Sequence, residues 1–338
     1  MPGGSKFAQA KRFFELLTQN PDLTKVLKQV VNSPADYARM KLLMDSMDGD
    51  IFKGVVAGLR SAALDGIDDV ARVRAVAEVL DIFTRPIKNI PWIPNGNGNW
   101  LVDMKLMYST TRELFEGLPS AGRELAVRKL VTMIAKSASD KPLDASSLVR
   151  FFGDAPSGMW TRWPFANMVD DLESVAHVKG FTRTLQSPLS LPYVAKWGAY
   201  QELYAGARLA KNPMIPELPE LEVVEFRAIL NNAYGKTDID ILTRTKDTGE
   251  LIQWQGKAST TSFAGGGERL LKKSPDDWFE SALKSAKRWK KIAAGHDSTA
   301  TQKWVYSGGD EFDVFNKLTI HIVDKLGGKV VHIPWFGS

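Results

Sequence analysis

Asp238-Ile239-Asp240-Ile241-Leu242-Thr243, Lys246-Asp247-Thr248-Gly249 and Leu251-Ile252-Gln253-Trp254-Gln255-Gly256-Lys257 decide how this chain is read. The first run alternates polar and apolar residues, the pattern of a half-buried strand. The second is made of turn formers. The third is strand-like again. Just before them, Val223-Val224-Glu225-Phe226-Arg227-Ala228-Ile229-Leu230 reads as one more strand behind Pro219. Three consecutive strands with short connections predict a sheet. Downstream, Trp278, Ala282, Ala286, Trp289 and Ala293 fall at helical spacing behind the start signal Ser274-Pro275-Asp276-Asp277. Lys303–Ser307 and Val330–Ile333 read as further strands, with a helix favoured over Phe312–Leu326.

Upstream the period is helical. Phe7, Phe13, Phe14 and Leu17 share a face, as do Val26, Val30 and Val31, then Ala35, Ala38, Leu42 and Leu43. Helices are expected over 51–64 and 70–80, with Gly66 between them. Residues 85–100 hold three prolines and two glycines and read as a loop pinned by Trp92 and Trp100. Further helices are expected over 101–116, 121–137, 145–152 and 164–176. An irregular stretch follows at Pro188 and Pro192, then a helix over Tyr193–Lys211. The expectation is an α+β protein. An all-helical part over 1–185 would serve recognition, delivery or partner binding, and an α/β part with a mixed central sheet would occupy 186–338.

Composition narrows the chemistry. The chain has 338 residues, 44% of them hydrophobic and 25% charged, which is ordinary globular composition. The net charge of +5 permits a nucleic-acid partner without demanding one. With no cysteine, thiolate zinc sites, iron–sulfur clusters, disulfides and cysteine nucleophiles are excluded. No apolar run reaches the ~18 residues of a membrane span. The opening Met1-Pro2-Gly3-Gly4-Ser5 lacks the apolar core of a secretory leader. Gly235-Lys236-Thr237 resembles the end of a phosphate-binding loop, but Leu230 stands where its first glycine belongs. His177, His296, His321 and His332 show no metal-ligand spacing.

The two strands around the turn carry the candidate chemistry. Gln255 and Lys257 are two apart and so share a strand face. If their strand pairs with that of Asp240, one sheet edge gathers a carboxylate, an amide oxygen and an ammonium. The oxygens suit a hard divalent cation and the ammonium suits a phosphate. Phosphodiester hydrolysis needs that combination.

These residues resemble a known family. Gly235-x-x-Asp238-Ile239-Asp240-Ile241 followed by Gln253-Trp254-Gln255-Gly256-Lys257 looks like the core motif of the PD-(D/E)XK, or restriction-endonuclease-like, nuclease superfamily. The family core of helix, three strands, helix and strand is similar to the order read here from about 193 to 307. The resemblance implies that Asp240 takes the aspartate position, Lys257 the lysine position and Gln255 the acidic position, as in the glutamine-x-lysine version of Mrr-like restriction enzymes. It implies a Mg²⁺ (or Mn²⁺) ion on Asp240, Gln255, the Gly256 carbonyl and Glu202. Glu202, in Gly198-x-x-x-Glu202-x-x-Ala205, corresponds to the glutamate that the family often carries on the preceding helix. Asp238 and Glu225 would support this site, with Glu222 and Glu225 as rivals for the role of Glu202.

Lys284, Lys287, Arg288, Lys290 and Lys291 line a helix beside the site and are candidates, with Lys272 and Lys273 of a basic loop, for gripping phosphates. The expected activity is a divalent-metal-dependent nuclease, with DNA ahead of RNA as substrate. A nuclease tail behind a helical region is also the layout of bacterial polymorphic toxins. On that comparison the protein would act in a cytoplasm, arrive there as an exported effector, and have an immunity protein as partner. The competing expectation is a non-catalytic nucleic-acid or protein-binding protein on a decayed nuclease fold, with Gln255 as the sign of decay.

Overall fold

The computed structural model describes residues 49–85, 87, 90, 92–94, 101–137, 141–156, 158–186, 193–211, 218–233, 235–257, 275–296, 300–306, 325 and 330–333. The helices expected before residue 49, the basic loop with Lys272 and Lys273, Trp100 and nearly all of Phe312–Leu326 lie outside these residues. The chain divides into two compact units. The first comprises 1–137 and 142–154, and the second comprises 138–141 and 155–338.

In the first unit the described helices are α1 (Gly49–Leu59), α2 (Asp69–Thr84), α3 (Met104–Glu116), α4 (Ser120–Lys136) and α5 (Ala145–Gly153). Their starts follow capping chemistry. Asp68 accepts from Ala71 N at 2.7 Å, Asp103 from Lys105 N at 3.0 Å, and Asp144 from Ser147 N at 2.7 Å. Val127, Leu130, Val131, Leu148 and Phe152 are buried between α1, α2, α4 and α5. This unit is not purely helical. β1 (Trp92–Pro94), inside the stretch expected as a loop, pairs antiparallel with β2 (Leu101–Asp103), at the start of the stretch expected as a helix, with Ile93 opposite Val102. Pro94 ends β1, a strand-terminal position that a proline tolerates, and two short extended segments satisfy their backbone groups by pairing. Trp92 is 54% exposed and so does not anchor that stretch.

The second unit begins near residue 155, not at the expected 186. It takes in α6 (Met159–Arg162), α7 (Phe165–Val175) and α8 (Phe181–Gln186) along with α9 (Tyr193–Lys211). α8 ends at Gln186 and α9 begins at Tyr193, and tertiary contacts tie α9 to the elements before it. Lys211 pairs with Asp170 and, at 2.6 Å, with buried Asp171, which also accepts from Trp163 Nε1 at 3.0 Å. Trp163 in turn meets the edge of Tyr204, and Phe181 meets Phe226.

The sheet of this unit is mixed, in the order β3 (Leu221–Asn232), β4 (Gly235–Thr245), β5 (Leu251–Lys257), β6 (Thr301–Tyr306), β7 (Val330–His332). β3, β4 and β5 run antiparallel in sequence. Helix α10 (Pro275–His296) follows β5 and returns the chain to β6, which pairs parallel with β5, as β7 does with β6. α9 packs against β3, β4 and β5. The approach is close at Gly206, where a Cβ would lie 2.4 Å from the Phe226 ring. Phe226, Ile241 and Trp254, buried and aligned across β3, β4 and β5, face this helix layer.

Candidate active site

The site is built where β4 and β5 part. Their ladder runs from Arg244 opposite Leu251 to Ile241 opposite Trp254. Past that pair β5 stays on β6 as far as Lys257 opposite Tyr306, while β4 continues on β3. The carboxylate of Asp240 fills the opening. Asp240 Oδ2 accepts from Gly256 N at 2.7 Å and from the side-chain amide Nε2 of Gln255. A buried carboxylate, 4% exposed, thus takes over a backbone donor that the ladder no longer reaches.

Gly256 has to be glycine for reasons of space. A Cβ there would lie 2.6 Å from Gln201 Oε1 and 3.4 Å from Asp240 Oδ2. Gln201 belongs to α9 and is completely buried, so it cannot swing into solvent.

Glu202, the next residue of α9, is clasped by Arg227 of β3. Arg227 Nε lies 2.6 Å from Glu202 Oε2, and Nη2 lies 2.9 Å from Oε1. The β3/β4 register pairs Phe226 with Ile241 and Ala228 with Ile239, which leaves Arg227 across from Asp240. Arg227 has φ +49°, a conformation that costs a bulky residue about 1–3 kcal/mol. The fork–fork pair with Glu202 offsets this. Burial works against the guanidinium charge, but Glu202, by charge and hydrogen bond, and then Asp240 and Asp238 outweigh it, so its pKa is raised. Asp240 therefore sits in a row between Arg227 on one neighbouring strand and Gln255 on the other.

Lys257 closes β5, and its side chain lies outside the described atoms. Asp238 is exposed, and its carbonyl accepts from Trp289 Nε1 at 3.2 Å, tying α10 to β4. Glu225 is held by Lys179 at 3.0 Å. Glu222 is 4.0 Å from Arg244 on an exposed face. On α10, Lys284, Lys287, Arg288 and Lys291 are exposed and stand three and four apart, so they form one stripe. Trp289, Ile292 and Ala293 on the other side are buried.

Of the implied cation ligands, Asp240 and Gln255 are together and Gly256 is beside them. Opposite a bare carboxylate the amide presents nitrogen. With a cation between them, a half-turn about its last torsion presents oxygen instead. The donor chemistry on this side, a carboxylate, an amide and a carbonyl, fits a hard cation. It does not extend to Glu202, whose two oxygens are engaged by Arg227. Among the described residues no group of three or more histidine, aspartate or glutamate side chains converges as a metal cage.

Arg227 and Gln201 carry little signal in the sequence: Arg227 interrupts the apolar run Phe226-Arg227-Ala228-Ile229-Leu230, and Gln201 stands out only as the neighbour of Glu202. No protein-family model, curated protein or solved structure matches this chain.

Proposed function

We propose that the second unit is a phosphodiesterase acting on nucleic acid, with Asp240, Gln255 and Lys257 at its centre and a restriction-endonuclease-like arrangement around them. The observation that supports this best is the junction of Asp240, Gln255 and Gly256 where β4 leaves β5. It lies within the order α9, β3, β4, β5, α10, β6 that the motif resemblance implies. The stripe of Lys284, Lys287, Arg288 and Lys291 adds a phosphate-binding face on the next helix. Asp240, Gln255 and the Gly256 carbonyl would hold Mg²⁺ (or Mn²⁺), which supplies polarisation of the phosphoryl oxygens and a more acidic bound water. Asp240 brings the fixed negative charge. Lys257 is assigned the charge-placing role beside the phosphate.

The test is cleavage of supercoiled plasmid and of structured RNA by the purified chain with Mg²⁺, with Mn²⁺ and with EDTA. Cleavage with metal only is expected, faster on DNA. Lys257→Ala should lower the rate ~10²–10³-fold while leaving the thermal transition unchanged. A chain that cuts neither polymer with either ion, or a Lys257→Ala variant as active as the parent, sinks the reading.

One observation favours a second reading, a non-catalytic nucleic-acid-binding protein. Asp240 Oδ2 has two protein donors and Glu202 has Arg227, so these carboxylates are satisfied without metal. Binding to either polymer without cleavage is its signature. An exported toxin with an immunity protein as partner is an extension of the first reading, tested by growth arrest on cytoplasmic expression. No described helix is long and apolar enough to cross a membrane.

A further inference from the structure

We infer that Arg227 grips a substrate phosphate beside Asp240, and that Glu202 is a positioning residue that holds Arg227 rather than a ligand for a cation. The inference rests on the phosphodiesterase reading. Three observations carry it. The β3/β4 register sets Arg227 across from Asp240, next to the opening between β4 and β5. Its backbone is turned to φ +49°, which an arginine keeps only where its surroundings hold it there. Glu202 meets it with both oxygens, so the plane of the guanidinium is set.

The chemistry of the site asks for such a group. Gln255 is neutral where the family motif has an acid, so Asp240 carries the carboxylate charge where β4 and β5 part. A phosphodiester arriving there meets a fixed planar cation, which matches phosphate geometry better than an ammonium does. Arg227 keeps 22% of its side-chain surface exposed, enough to be reached, and Glu202 keeps 13%. A carboxylate already spent on a bidentate arginine is a poor candidate for a hard cation's shell of six or more oxygens.

The experiment measures binding of labelled duplex DNA and single-stranded RNA in EDTA, where cleavage is off, over a series of KCl concentrations. It compares the parent chain, Glu202→Gln, and the paired change Arg227→Met with Glu202→Leu, which removes both charges and leaves none stranded. The paired variant should melt close to the parent. Its plot of log K against log salt should be shallower by about 0.9 on duplex or about 0.7 on single strand, the loss of one phosphate contact. Glu202→Gln should leave Mg²⁺ binding, read by calorimetry, unchanged.

A folded paired variant with the parent's slope makes the pair purely structural and overturns the inference. Weaker Mg²⁺ binding by Glu202→Gln makes Glu202 a ligand and overturns it too. If the paired variant does not fold, Arg227→Lys replaces it. It keeps the charge and loses the fork, so weaker binding at an unchanged slope is expected and undiminished affinity refutes. A parent that binds neither polymer removes the phosphodiesterase reading and this one with it, whereas a parent that binds while the variants behave like it removes this one alone.

Discussion

Gln255→Glu places a second carboxylate where the Gln255 amide now donates to Asp240. Two losses follow. The hydrogen bond to a charged acceptor is worth about 1.5–3 kcal/mol. Two like charges about 4 Å apart repel by at most about 4 kcal/mol at an effective dielectric of ~20. Gln255 is only half-buried, so the new carboxylate can turn to water and escape most of the repulsion. A loss of about 2 kcal/mol at pH 7 without metal is therefore expected. The two carboxyls titrate as a pair, and the first proton binds more tightly in the folded state than in the unfolded chain. The folded state then holds more protons above the ordinary carboxylate range, so the stability of the variant falls as pH rises through that window. As pH falls through the ordinary carboxylate range, about pH 4, both states take up the protons and the penalty fades. Mg²⁺ has the same effect by another route, because a cation between the carboxylates replaces repulsion with coordination, and the variant should bind it more tightly than the parent. Urea midpoints of parent and variant, taken from pH 4 to 8 with and without Mg²⁺, test all three statements. A variant as stable as the parent at pH 7 in EDTA would show that residue 255 does not face Asp240, and the site as described would fall.

Two further outcomes are expected. Gly256→Ala forces a methyl against Gln201 Oε1. Overpacking of ~1–3 kcal/mol, less ~0.4–1 kcal/mol gained from a stiffer unfolded chain, leaves a net cost of about 1–2 kcal/mol. In the Gln201→Ala background that cost should shrink, and equal costs in the two backgrounds would refute the contact. In the first unit, burial pushes up the pKa of Glu78, with the Ala145 N–H, donating at 2.8 Å, pulling the other way. Folding therefore takes up a proton as pH falls, and stability is gained between the raised pKa and the ordinary carboxylate range. Glu78→Gln keeps an acceptor for Ala145, so it should lose that slope. Parallel pH profiles of parent and variant would contradict it.

Much of this protein is written locally. The alternation in Asp238–Thr243, the turn before Leu251 and the helical period of Tyr193–Lys211 each determine an element, because side-chain period and turn chemistry act within a few residues. β4, β5 and α9 accordingly stand where those patterns put them. That Asp240 would meet Gln255 also follows from the sequence once their strands are neighbours. Three things did not follow. The second unit reaches back to residue 155 because Lys211, Trp163 and Phe181 make contacts across Pro188 and Pro192, and a proline signals a break in a helix, not in a core. Glu202 belongs to Arg227 because α9 packs on β3 and brings together two residues that are 25 positions apart in the sequence. Gly256 carries no side chain because Gln201, on a helix 55 positions earlier in the sequence, already fills the space. Each depends on which surfaces meet across long stretches of chain, and no local period or propensity encodes such a meeting.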